Sequence, residues 1–92
     1  MSQPVAEGVL KIQNELGMHA RAATKFVQTA NRFKADVSVE KDGQTVNGKS
    51  IMGVLLLAAA KETFIKVRCA GEDAEAALAA LADLVNEKFG EE

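Results

Sequence analysis

The chain has 92 residues, 48% of them hydrophobic and 26% charged, with a net charge of −2. That length fits one domain with a single modest core, and the charge balance excludes a general binder of nucleic acid or anionic membrane. One cysteine, Cys69, excludes an internal disulfide and a cysteine-based metal cluster, and it fits a reducing compartment.

In chain order, "MSQPVAEG" carries neither a basic nor an apolar leader region, so no secretory signal is read. The longest apolar run, residues 51–60, is about half a membrane span. The expectation is a single cytoplasmic domain over residues 1–92, without membrane insertion. Residues 8–13 read as a strand, with Leu10 and Ile12 on one face and Lys11 opposite. Gly17 breaks the chain. From Ala20 the positions Ala23, Phe26, Val27, Ala30 and Phe33 recur at helical spacing and predict a helix to about Phe33. Arg32 and Lys34 would then sit at its C-terminal end, where they complement the dipole.

"DVSVEK-DG-QTVN" follows, with Val37 and Val39 alternating, a two-residue Asp42-Gly43 turn and Val46 on the return strand, which predicts a hairpin. Ser50 is a natural N-cap for a short helix to about Leu56. "TFIKVRCA" alternates again, placing Ile65, Val67 and Cys69 on one face, and Cys69 reads as core filler. Glu72, Asp73 and Glu75 form an acidic first turn for a last helix, with Ala74, Ala77, Leu78, Leu81, Leu84 or Val85, and Phe89 inward. The order is β-α-β-β-α-β-α. One-sided helices and one-sided strands bury each other in a two-layer α/β sandwich, and Lys11, Ser38, Glu40, Lys66 and Arg68 suit a wetted outer face of the sheet.

Charge is unevenly spread. Residues 20–35 hold Arg21, Lys25, Arg32 and Lys34 with no acid, whereas residues 72–92 hold seven acids against Lys88. A basic face on an acidic protein suits an acidic partner or a small anion.

His19 is the only histidine, at the predicted entrance of the first helix with Arg21 two places on. A lone histidine there is commonly a surface residue or an indifferent cap. Metal binding lacks a second imidazole, and a hydrolytic triad lacks a carboxylate near enough in sequence to orient the ring. Phosphate remains. A helix N-terminus offers unpaired N–H groups and a positive dipole end, Arg21 can reach the same oxygens, and both favour a neutral, nucleophilic ring.

"NELGMHARAATKFV" resembles the active-centre signature of the histidine-containing phosphocarrier (HPr) family of the phosphoenolpyruvate-dependent sugar phosphotransferase system. The family pattern is close to G-[LIM]-H-A-R-P-A before an amphipathic helix. "DGQTVNGKSIMGVLLLA" is similar to the family's hairpin and regulatory-serine helix, at matching separation. The resemblance covers residues 9–89 or so and implies an open-faced β-sandwich, a four-stranded antiparallel sheet with three helices on one face. It implies a carrier, not an enzyme, with His19 as the phosphorylated residue, Arg21 beside the phosphate and Ser50 as the target of an ATP-dependent kinase. Ile51, Met52 and Leu55, with Met18 and Lys25 nearby, would form the docking surface for enzyme I and enzyme IIA. No cofactor, metal or nucleic acid is implied, and the expected state is a monomer. The runner-up is a regulatory adaptor that signals metabolic state through His19 or Ser50 without sugar transport. An RNA-binding module fits poorly, since only Phe64 suits an outer-face stacking position.

The sequence departs from the family at three places. Ala22 stands where proline is usual, and Ala58 and Glu62 stand where glycine is frequent. If Glu62 must turn left-handed, local strain or a rearranged turn follows.

Overall fold

A computed structural model describes residues 3–91. Met1 and Ser2, at the start of the segment read for a leader, and Glu92, the last of the seven acids, lie outside them. The elements are β1 (Val5–Lys11), α1 (Ala20–Ala30), β2 (Asp36–Lys41), β3 (Gln44–Asn47), α2 (Ile51–Leu56), β4 (Phe64–Ala70) and α3 (Ala74–Asn86), followed by one 3₁₀ turn, Lys88–Gly90. The strands form one antiparallel sheet in the order β1-β4-β2-β3. This is the expected open-faced sandwich in the expected order.

β4 is one of the two interior strands and has the cleanest alternation. Ile65, Val67 and Cys69 are fully buried, while Lys66 and Arg68 point to water. β1 pairs with β4 from Val5 opposite Ala70 to Lys11 opposite Phe64. β1 therefore starts three residues before the sequence reading put it, its length set by the partner and not by its own pattern. The Asp42-Gly43 turn has φ of 51° and 84°, the left-handed pair that joins β2 and β3 tightly.

α1 ends at Ala30, short of the predicted Phe33. Beyond it the backbone tightens, with Arg32 N donating to Thr29 O and Phe33 N to Ala30 O. Arg32 and Lys34 thus fall outside the last helical turn. Ala22, Ala23, Phe26, Val27 and Ala30 face the core, where they meet Ile12, Ile65, Leu81, Val85 and Phe89. Val85, not Leu84, is the fully buried member of that pair on α3. Asp73 sits at the α3 entrance but makes no cap bond there. Its carboxylate accepts instead from the N–H of Lys34 and of Ala35, each at 2.8 Å, and so ties the α1–β2 turn to α3. These backbone donors hold the Asp73 carboxyl below its usual range.

Ala58 and Glu62 both turn left-handed, with φ of 48° and 71°. The backbone needs that conformation with or without glycine, and the turn is closed by Glu62 N donating to Ile12 O and Thr63 N to Ala60 O. No helix among the described residues is long and apolar enough to cross a membrane.

Candidate functional site

The loop before α1 is fixed by backbone before any side chain acts. Gly17 has φ of 65°, and a Cβ there would run into the carbonyl oxygen of Ala59. Met18 N donates to that same oxygen at 2.8 Å, and the Met18 side chain is buried. These contacts deliver His19 to the N-cap of α1 with extended backbone, φ −76° and ψ 179°. Its carbonyl accepts from Ala23 N at 2.8 Å, which opens the helix.

The His19 ring is held at both nitrogens. Nδ1 accepts from the backbone N–H of Arg21 at 3.3 Å, so the imidazole takes the place usually filled by a serine or aspartate cap. Nε2 lies 2.5 Å from Oε2 of Glu91, a residue 72 positions away. A carboxylate can only accept, so Nε2 is the protonated nitrogen of the neutral ring and the lone pair lies on Nδ1. The N–H of Ala22, the third residue of α1, has no partner among the described residues. The ring side chain remains about a quarter exposed.

Glu91 is held in turn by Asn14. This asparagine is buried, and its amide nitrogen donates to Gly17 O at 2.7 Å and to the same Glu91 oxygen at 3.2 Å. Both neighbours are acceptors, which fixes the amide orientation and leaves Asn14 Oδ1 buried without a partner. The hydrogen bond from His19 is the main influence holding the Glu91 carboxyl below its usual range. Partial burial opposes it, while Asn14 and the Lys25 charge help. An orienting carboxylate thus exists, although none was assignable from sequence.

The other residues singled out in the sequence divide into two groups. Arg21 is exposed on the first turn of α1, makes no ion pair among the described residues, and lies beside the ring. Lys25 is half-buried, its ammonium donating to Phe89 O at 2.6 Å. Met18 is 5% exposed, so its side chain anchors the loop and does not present itself to a partner. Ser50 caps α2, its hydroxyl accepting from Gly53 N at 3.1 Å. Ile51 and Met52 are exposed there, and Leu55 is half-buried. α2 packs on α1 and spans only about 9 Å at helical rise.

Leu16, on the loop before His19, and Leu56, at the end of α2, are 70% and 65% exposed and were missed. An apolar residue between a glutamate and a glycine was the available signal for Leu16. For Glu91 and Asn14 there was none, because only the fold joins them.

A family model described as the PTS HPr component phosphorylation site matches residues 6–87. The chain is 54% identical to the phosphocarrier protein HPr of Neisseria meningitidis serogroup A, over 89% of this chain and 92% of that one. It is 46% identical to the HPr-like protein Crh of Bacillus subtilis, over 86% of this chain and 93% of the relative. Among solved structures, an HPr from Thermoanaerobacter tengcongensis superposes with a TM-score of 0.92 at 46% identity, covering 95% of this chain and 98% of the other. Sequence, fold and family model agree over nearly the whole length, and the chain belongs to the HPr family, the phosphocarriers of the phosphotransferase system.

Proposed function

We propose that His19 carries the phosphoryl group on Nδ1, taking it from enzyme I charged by phosphoenolpyruvate and giving it to an enzyme IIA domain. The observation that carries this reading is the placement of the Nδ1 lone pair at the mouth of α1, with Nε2 committed to Glu91. In the transfer, that lone pair forms the N–P bond while the donor's bond to phosphorus breaks, its electrons staying with the donor. The oxygens then take over the Arg21 N–H that now rests on Nδ1. The Arg21 guanidinium is near enough along the first turn to add a charge-assisted bond. Such chemistry needs mainly positioning and charge, and a partner supplies what a shallow site lacks. The protein is then a stoichiometric intermediate and not a catalyst turning over a small substrate.

Partners dock over the apolar surface formed by Ile51 and Met52, with Leu56 exposed on the same helix. Ser50 is the regulatory position. A phosphate there adds roughly two negative charges beside Ile51 and Met52. It sits at a helix entrance that tolerates negative charge, so α2 survives while acidic partners are repelled.

The similarity to Crh favours a second reading, a regulatory adaptor that signals through His19 or Ser50 without feeding sugar uptake. One experiment separates the two. Incubation with phosphoenolpyruvate and purified enzyme I should add one acid-labile phosphoryl group, seen by intact mass, and adding an enzyme IIA domain should remove it. Labelling of His19→Ala at the wild-type level would sink the first reading, and labelling without onward transfer to any enzyme IIA domain would favour the second.

A further inference from the structure

Three consecutive residues after α3 are left-handed: Lys88, Phe89 and Gly90, with φ of 57°, 57° and 79°. For the first two, which carry a Cβ, this conformation is strained. Several contacts hold it. The Phe89 ring is buried at 1% exposure, its carbonyl accepts from the Lys25 ammonium, and Gly90 N and Glu91 N donate to Glu87 O and Lys88 O. The product of this turn is the position of one side chain, Glu91, whose Oε2 accepts from both His19 Nε2 and the buried amide of Asn14. A strained backbone, a buried anchor and a buried amide all converge on the ring nitrogen that does not take phosphate.

We propose that Glu91, held by Asn14, is a positioning residue for phosphoryl transfer: its carboxylate keeps the proton on Nε2 in both the free and the phosphorylated state of His19. This rests on the reading of His19 Nδ1 as the acceptor. When Nδ1 forms its bond to phosphorus, no proton leaves the ring, which becomes a phosphoimidazolium with Nε2–H still bonded to Glu91. The carboxylate balances that positive charge. On delivery the N–P electrons return to Nδ1, and the leaving group is a neutral imidazole instead of an imidazolate. Loss of the Nε2 proton would make the ring a far poorer leaving group. The charge facing this pair is Lys25 on α1, which attracts the carboxylate and does not compete for the ring proton, with Arg21 on the first turn beyond the ring.

The test uses the full chain as wild type, Glu91→Ala and Glu91→Gln, with two donors: phosphorylated enzyme I, and phosphoramidate, which has no docking surface. Ring nitrogen-15 spectra at neutral pH should show a slowly exchanging Nε2 proton in wild type. That signal should disappear in Glu91→Ala and persist in Glu91→Gln, whose amide oxygen still accepts. Glu91→Ala should accept phosphate about tenfold more slowly from both donors, the scale of one lost bond to a charged group, and Glu91→Gln should fall between. Equal rates in all three would overturn the proposal. Faster transfer in Glu91→Ala would overturn it in favour of an autoinhibitory contact. Slowing with enzyme I but not with phosphoramidate would overturn it in favour of a docking role. A wild-type protein that accepts phosphate from neither donor would remove the reading of His19 itself, an outcome distinct from each of these.

Discussion

The entrances of α1 and α2 are built on the same plan: a side chain at the N-cap accepts from an N–H of the first turn. At α2 the Ser50 hydroxyl accepts from Gly53 N at 3.1 Å, and every group involved lies within four residues. At α1 the His19 ring accepts from Arg21 N at a long 3.3 Å, while its other nitrogen reaches a carboxylate 72 residues away. The first is a good cap. The second is a poor cap whose ring is held mainly from the far side. A side chain that closes its helix weakly and is braced from elsewhere keeps its lone pair for other use, whereas Ser50 is occupied by the fold.

The sharpest way to break this contrast is to remove both caps separately. His19→Ala should abolish phosphorylation by enzyme I while lowering Tm little. Arg21→Ala should come next, slowing transfer by about tenfold or more through the lost charge-assisted bond. Its Tm should hold within a degree or two, because the guanidinium has no ion pair to lose. Stopped-flow or quench kinetics alongside thermal unfolding would check both. Ser50→Ala should do the reverse of His19→Ala. It should cost about 1 kcal/mol of stability, a drop of roughly 4–8 °C in a domain of this size, with the chemical competence of His19 toward phosphoramidate intact. If His19→Ala lowered Tm more than Ser50→Ala, the histidine would be the better cap and the contrast would collapse.

The smallest effect sharpens it further. Ala22→Pro restores the family's usual residue at the third position of α1, where the N–H has no partner to lose. Fixing that dihedral should leave the protein as stable or more so, by about 0.4–1 kcal/mol, and His19 should still accept phosphate. A loss beyond roughly 1 kcal/mol would mean that the first turn does not accommodate the ring. Preserved stability with lost phosphorylation would assign the Ala22 N–H a part in the transfer itself.

The same contrast explains what was readable in the sequence. The hairpin, the Ser50 cap and the alternation of β4 are local: Asp42-Gly43, a hydroxyl before a helical run, and Ile65, Val67 and Cys69 each declare themselves within a few residues. The His19–Arg21 pair was readable as a motif. The end of α1 was not, because Phe33 keeps the helical spacing while the backbone has already shifted to tighter bonds, so its half-buried ring approaches the core from a turn. Met18 was read as surface because side chains in a turn have no period, and here the backbone bond to Ala59 swings it inward. Glu91 and Asn14 looked like one acid among seven and an ordinary polar loop residue. Their role depends on a strand end, a helix start and a strained turn arriving at one place.

Cys69, on the buried face of β4, bears on how this protein can be handled. It is fully buried, and burial pushes its thiol above the usual range, so the chain's single sulfhydryl is shielded from reagents and disfavoured as a thiolate. A cysteine placed at an exposed position such as Leu16 or Met52 becomes the sole reactive thiol of the folded protein. Either site then takes a single fluorophore or crosslinker beside the His19 loop or on α2, with no need to remove the native cysteine and leave a hole in the sheet.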